Sequence, residues 1–113
     1  MTSEAETGTA LFWELADELL AGAGISRSTM MGYPCLRVNG AFFACVERAT
    51  GHLIVKLPAA RVIELTGAKQ AILFAPNGRV FREWAAFPIA DRDEWRELLA
   101  EALAFVGDVP PTG

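Results

Sequence analysis

The chain has 113 residues, of which 52% are hydrophobic and 21% are charged, and its formal net charge at pH 7 is −4. This balance is typical of one ordinary globular domain and excludes a disordered chain. The longest apolar runs, 41–46 and 84–90, are far below the roughly 20 residues that a membrane-spanning helix needs. We expect a cytoplasmic protein with no membrane contact, because the N-terminus lacks the features of a signal peptide.

The charges are unevenly distributed along the chain. Residues 1–26 hold five acids and no base, residues 27–82 hold eight bases and two acids, and residues 83–113 hold two bases and seven acids. The middle of the chain is therefore basic, and both flanks are acidic.

An amphipathic helix is predicted from about Thr9 to Ala23. Apolar residues between these positions recur at spacings of one, three and four, which places them on one side of a helix. Thr9 is the predicted N-cap, and Gly22 and Gly24 end the helix. We expect residues 1–8 to be a disordered tail.

A brief strand over residues 25–31 is followed by three β-rich runs, which form an antiparallel meander. The runs cover residues 32–38, 41–47 and 52–57. Asn39-Gly40 between the first two is a strong signal for a two-residue hairpin turn. The next connection, 48–51, is a looser turn.

Alternation along the meander predicts one wholly apolar face, which the helices cover, and one mixed face, which is partly open. The apolar set is Phe42, Ala44, Val46, Leu53, Val55 and Leu57. The mixed set is Leu36, Val38, Phe43, Cys45, Glu47, His52, Ile54 and Lys56. Arg37 falls on the apolar side, and we expect it at the rim of that face with its guanidinium reaching outward.

The same hairpin register predicts the positions of both cysteines. It sets Val38 opposite Ala41 and Leu36 opposite Phe43. Cys45 then shares a face with Leu36, whereas Cys35 points to the other side. We therefore expect two free, buried thiols that act as small core residues.

The second half of the chain supplies two more helices and further strand. Pro58 begins a short helix that Gly67 closes, a brief strand covers 72–74, and another covers 84–87 with ambiguous parity within 79–88. Asp91 and Glu94 form a capping box for a last helix, which reaches Val106 and ends at Gly107. We expect residues 108–113 to be a disordered tail. The prediction is one α+β domain over residues 1–113, an antiparallel meander sheet packed by N- and C-terminal helices, with the order α-β-β-β-β-α-β-α.

Several short motifs carry a family resemblance that extends from about Leu11 to Val106. They are Gly32-x-Pro34-Cys35-Leu36-Arg37-Val38-x-Gly40, Phe43-Ala44, Val55-Lys56-Leu57-Pro58, Gly78-Arg79, Glu83-Trp84 and the closing helix up to Ala104-Phe105-Val106. With these motifs the chain resembles the YjbR/MmcQ-like family and the related TfoX N-terminal domain. The resemblance implies the fold given above and a candidate DNA-binding role. It favours the stand-alone YjbR-like type, because the further C-terminal helical domain of TfoX regulators is missing.

Enzymatic signatures are missing from the sequence. One histidine cannot build a His-based metal cluster, and no phosphate-binding glycine loop occurs. We therefore expect a non-enzyme with no metal and no other cofactor. A thiol dyad of Cys35 or Cys45 with His52 is considered, and strand parity places Cys45 on the same face as His52. A rim histidine beside a core cysteine is the favoured interpretation.

Two binding hypotheses remain open. In the first, basic residues of the middle segment bind anions or DNA, with a tryptophan as a stacking surface. The candidate residues are Arg37, Lys56, Arg79, Arg82 and Trp84. The sequence pI of about 4.9 and a possible pairing of the arginines with the acidic helices count against it. In the second, the mixed face binds a protein partner or a second copy of the chain. Its candidate residues are Leu36, Val38, Phe43, His52 and Ile54.

Overall fold

The computed structural model describes residues 3–30 and 32–107. Within these ranges the chain forms α1 (Glu4–Leu20), β1 (Ile25–Met30), β2 (Tyr33–Val38), β3 (Ala41–Glu47), β4 (His52–Lys56), α2 (Ala59–Gly67), β5 (Ile72–Leu73), β6 (Trp84–Phe87) and α3 (Arg92–Gly107). A short 3-10 turn, Pro76–Gly78, lies between β5 and β6. This order confirms the predicted α+β fold. The predicted C-terminal tail lies outside the described residues.

The strands form a single antiparallel sheet in the order β1-β2-β3-β4-β6-β5. The predicted hairpin turn is present, with φ of 51° at Asn39 and 87° at Gly40. Two consecutive positive φ angles are what a tight two-residue hairpin requires, and asparagine and glycine adopt them at the least cost.

The helices pack against one face of the sheet, which we call the helix-covered face. α1 and α3 both contact β3 and β4, the central strands. Twenty buried residues form the core between them, and its largest side chains include Phe12, Phe43, Phe87 and Trp95. Among the described residues, none of the helices combines the length and the apolar character needed to cross a membrane.

Helix α1 begins at Glu4, so the prediction that Thr9 caps it and that residues 3–8 belong to a tail is wrong. Ser3 is the N-cap, and its hydroxyl accepts a hydrogen bond from the Glu6 amide at 3.1 Å. The first turns carry no apolar stripe because they contact the turn between β3 and β4 through a glycine. Gly8 is buried so closely against Gly51 that a Cβ there would overlap the Gly51 carbonyl oxygen.

A β-bulge in the first hairpin changes which residues face the helices. Val38 lies opposite Ala41 as predicted, but Leu36 lies opposite Ala44, and the register shifts between Leu36 and Arg37. Phe43 is therefore the extra residue on β3. This extra residue shifts the alternation by one position between β2 and β3. The residues of β2, and Phe42 on the turn side of the bulge, therefore point to the opposite faces from those predicted.

The reversal corrects several predicted positions. Leu36, Val38 and Phe43 belong to the core under the helices, and Phe42 lies on the other face. Arg37, opposite Phe42, also lies on that other face rather than at the rim of the apolar one. The other predicted members of the apolar face, from Ala44 to Leu57, are buried in the core as expected.

The bulge also places the two cysteines together. Cys35 and Cys45 are direct cross-strand partners and belong to the same buried cluster. Both are free and buried, as predicted, but the expectation that they point to opposite faces is wrong.

The structure defines which side chains of β6 face the helices and which residue caps α3. Ala85 and Phe87 point to the helices, whereas Trp84 and Ala86 point to the other side, which resolves the ambiguous parity. Asp91 accepts a hydrogen bond from the Glu94 amide at 3.0 Å, as an N-cap of α3 does.

Candidate functional site

The face of the sheet opposite the helices, which we call the second face, has a small core of its own. Five buried residues form it: Cys35, Cys45, Ile54, Phe74 and Ala86. The chain between β5 and β6 folds over part of this cluster. Phe81 donates its amide to the Phe74 carbonyl at 3.0 Å, and their rings lie 5.7 Å apart.

Aromatic and cationic side chains alternate across the second face on four neighbouring strands. We call this set the cross-strand row, and its members are Arg37 on β2, Phe42 on β3, Lys56 on β4 and Trp84 on β6. The Arg37 guanidinium lies 4.6 Å from the centre of the Phe42 ring. Lys56 and Trp84 are direct cross-strand partners. The antiparallel register therefore brings three of the five predicted site residues to one face.

The remaining two predicted residues lie on the segment that folds over this face. The Arg79 guanidinium lies 5.6 Å from the centre of the Phe81 ring, and Phe81 packs against the second-face cluster. Arg82 is exposed, and among the described residues its side chain makes no hydrogen bond, ion pair or cation–π contact with the row. Arg79 is thus connected to the site through an aromatic ring, and Arg82 is not.

Ion pairing distinguishes four arginines beside the helices from the basic residues of the second face. Four arginines pair with acids of the helices. Arg27 pairs with Asp17 at 2.9 Å, Arg61 with Glu101 at 3.0 Å, Arg92 with Glu14 at 2.6 Å and Arg96 with Glu18 at 3.1 Å. The proposed pairing of arginines with acidic helices therefore holds for these residues.

The basic residues of the second face have a different environment. Within residues 3–30 and 32–107, no carboxylate lies within 4.0 Å of Arg37, Arg79 or Arg82. Lys56 reaches Glu83 only at the 4.0 Å limit, with both side chains partly exposed. Such a contact contributes little attraction in water.

Arg37 has an unusual donor. Its Nε atom is buried, and it has no hydrogen-bond partner among the described atoms. A guanidinium offers five N–H groups and no acceptor, so a buried one without a partner costs free energy. The Arg37 side chain as a whole is only partly buried, so an anion on the second face could accept hydrogen bonds from its exposed N–H groups and balance its positive charge.

Glu47 and Tyr33 form a polar group at another part of the second face. The Tyr33 hydroxyl donates to one Glu47 oxygen at 3.0 Å, and the Thr50 hydroxyl donates to the other at 2.8 Å. Burial and, secondarily, Glu47 raise the pKa of Tyr33. Both Glu47 oxygens thus have partners within the chain.

The predicted interaction face is not an exposed surface. Leu36 and Phe43 are fully buried, Val38 is 6% exposed and Ile54 is 1% exposed. Three of these lie under the helices because of the bulge, and Ile54 lies in the small cluster of the second face. Only His52 retains partial exposure.

The thiol dyad finds no support in its electrostatics. Cys45 and His52 lie on one face of neighbouring strands, as predicted, because Glu47 pairs with His52 and Cys45 with Ile54. Burial, Cys35 and Glu47 all raise the pKa of the Cys45 thiol. A thiol that keeps its proton is a poor nucleophile.

The residues predicted for the binding site do not include Phe42 or Phe81, although their rings lie against Arg37 and Arg79. Strand alternation predicts Phe42 on the helix-covered face, and the bulge places it on the second face. In the part of the chain that is described, no three His, Cys, Asp or Glu side chains come together as metal ligands would.

No protein-family model, curated protein or solved structure matches the chain.

Proposed function

We propose that this protein is a small, non-catalytic binding module of the YjbR/MmcQ-like type that binds single-stranded nucleic acid in the cytoplasm through its second face. The observation that carries the proposal is the placement of two arginines, which have no carboxylate partner among the described residues, beside aromatic rings on one side of the sheet. Proteins that bind single strands combine cations for the phosphates with aromatic rings on which bases stack.

The cross-strand row supplies both kinds of contact. Arg37 and Lys56 lie on β2 and β4, and Phe42 lies between them on β3. Trp84 is half-buried at the other end of the row, and its ring is the largest stacking surface there. A single-stranded nucleic acid bound across the row would meet side chains that bind phosphates and side chains on which bases stack.

The acidic pI does not oppose this arrangement, because the acids lie mainly on the helices. Four arginines neutralise part of that charge through ion pairs on the helix-covered side. The Debye length is about 8 Å at physiological ionic strength, so the exposed acids beyond the sheet are largely screened from the row.

The test compares two arginines that differ in pairing. Fluorescence anisotropy of a labelled single-stranded oligonucleotide is measured at low salt for the wild type, Arg37→Gln and Arg61→Gln. We expect Arg37→Gln to weaken binding by about fivefold or more, which is roughly 1 kcal/mol, and Arg61→Gln to leave it unchanged. Affinity of the wild type should also fall linearly in a log–log plot against salt.

Two results would contradict the proposal. One is the absence of any anisotropy change at micromolar protein in low salt. The other is equal weakening by both variants, since equal weakening reports only the loss of one positive charge from the whole chain. Trp84→Leu provides a second check, because it should weaken binding without changing the salt slope.

A second candidate function is association with a protein partner or with a second copy of the chain. One observation favours it: Ile72 and Leu73 on the edge strand β5 are 47% and 52% exposed, and nearby Val80 is 48% exposed. Exposed edge strands are sites of strand addition. Sedimentation at high concentration tests self-association. A wild type that stays monomeric would contradict it, and so would a dimer that Leu73→Lys leaves unchanged.

A further inference from the structure

The two cysteines are placed as a disulfide requires. They are cross-strand partners in the antiparallel ladder of β2 and β3. Directly opposed residues in such a ladder have Cα atoms about 4.5 to 5.5 Å apart. Disulfides form over Cα separations of about 4.4 to 6.8 Å. Both side chains point to the second face, and both are fully buried in its small cluster.

We propose that Cys35 and Cys45 are a reversible dithiol–disulfide pair, oxidised by a hydroperoxide and reduced by a small dithiol. This is a modification site that the proposed binding function does not need. The pair closes the hairpin that carries Arg37 and Phe42, and it needs little backbone movement.

The surroundings assign different roles to the two thiols. Burial raises the pKa of each, but at Cys35 the positive charge of Arg37 acts against burial. At Cys45 the neighbouring Cys35 and Glu47 add to the effect of burial. Cys35 is therefore the thiol that loses its proton more readily, and it is the attacking group.

The chemistry takes place in two balanced steps. The Cys35 thiolate attacks one peroxide oxygen, the O–O bond breaks, and the products are a sulfenic acid and, after protonation, water. The Cys45 thiol is a slow nucleophile, but it lies directly opposite Cys35 on the neighbouring strand. Its sulfur attacks the Cys35 sulfur, its proton passes to the departing hydroxyl, and the S–O bond breaks with release of a second water. In sum, two thiols lose two hydrogens and hydrogen peroxide becomes two waters. A dithiol reverses the change and itself becomes a disulfide.

Burial controls the rate of this reaction. Neither thiol is accessible in the folded state, so a reagent reaches them only when the hairpin or the covering segment opens locally. A bulky alkylating reagent should therefore label the native protein slowly. Hydrogen peroxide is small, and it is the probe of choice.

The experiment uses the full chain, treated with hydrogen peroxide, then denatured, alkylated and weighed by mass spectrometry. Reduced protein should take up two alkyl groups. Oxidised protein should take up none, weigh less by two hydrogens and give one linked peptide pair that contains Cys35 and Cys45. Dithiothreitol should restore both thiols, and oxidation should raise the melting temperature, because a crosslink restricts the unfolded chain.

Other products would overturn the proposal. They are oxygen adducts without loss of hydrogens, thiols that remain alkylatable, and disulfides that join separate chains. Cys45→Ala supplies the matched control, because its Cys35 should stop at a sulfenic acid that dimedone traps. The wild-type result stands without the variant. It is also independent of nucleic-acid binding, so either proposal can fail alone.

Discussion

The two faces of the sheet differ in how many residues they bury and in how their charged side chains are paired. The core between the helices and the helix-covered face contains twenty buried residues from both layers, whereas the cluster on the second face contains five. The arginines that lie with the helices have acidic partners, whereas Arg37 and Arg79 lie against aromatic rings. Charge that is already paired within the protein is not available to a ligand.

The difference follows from what covers each face. Amphipathic helices bring apolar stripes to the sheet and carry their acids on the outside, where arginines reach them. The segment between β5 and β6 has only a short 3-10 turn, and it contributes Phe74 and Phe81 but no carboxylate before Glu83. The segment that covers part of the second face therefore brings two aromatic rings and Arg79 to it, rather than a row of acids.

The largest expected effect distinguishes the two cores directly. Leu53 and Ile54 are adjacent on β4, both are buried, and they point to opposite faces. We expect Leu53→Ala to lower the free energy of unfolding by about 4 kcal/mol and Ile54→Ala by about 2 kcal/mol. The smaller cluster beside a loop can collapse around the cavity more easily. Urea denaturation measures both.

Equal losses for the two variants, or a larger loss for Ile54→Ala, would break this comparison. The second face would then contribute to folding as much as the helix-covered face does. A Leu53→Met variant is a useful control, because it keeps the volume and should cost less than about 1.5 kcal/mol.

The next effect concerns how closely α1 approaches the sheet. Gly8 has no room for a Cβ, because the Gly51 backbone occupies that space, whereas Gly67 at the end of α2 has nothing within 4 Å of a built Cβ. We expect Gly8→Ala to destabilise the protein by about 3 kcal/mol, since backbone must move. Gly67→Ala should stabilise it by about 0.5 kcal/mol, because alanine loses less entropy in a helix.

Thermal or urea unfolding of these two glycine variants gives the sign of each change. Destabilisation by both would mean that contact with the Gly51 backbone is not what makes alanine unfavourable at Gly8. A neutral Gly8→Ala would mean that α1 can move away from the β3–β4 turn at no cost.

The sequence predicts the elements of this fold well, because each has a local signal. Asn39-Gly40 marks the hairpin, and Asp91 with the apolar spacing from Trp95 marks α3. The start of α1 was missed because Gly8 replaces an apolar residue at the contact with Gly51. A glycine that packs against backbone gives no hydrophobic signal.

The arrangement of the site was less predictable, and the bulge is the reason. Residues 41–46 are all apolar, so alternation gives no sign that Phe43 and Ala44 both face the helices. One extra residue moved Arg37 and Phe42 to the second face and set Cys35 beside Cys45. The pairing of Lys56 with Trp84 joins distant parts of the chain, and no local pattern reports it.

The smallest effect tests whether the second face responds to pH on its own. Tyr33 is the single tyrosine of the chain, so tyrosinate absorbance during an alkaline titration reports this residue alone. Burial raises the pKa of Tyr33, and Glu47 adds to it, so we expect the midpoint above the ordinary tyrosine value. The folded state then holds a proton that the unfolded chain has lost, and stability falls as pH rises from the ordinary value towards the raised one.

Substitution separates the two causes of the Tyr33 shift. Glu47→Gln should lower the midpoint only in part, because burial is the larger cause and remains. Tyr33→Phe removes the titrating hydroxyl, so the free energy of unfolding of this variant should fall less as pH rises. Urea unfolding at increasing pH measures the difference from the wild type. An ordinary midpoint in the wild type would place the Tyr33 hydroxyl in water. The second face would then be more open beside Glu47 than the 3.0 Å hydrogen bond indicates.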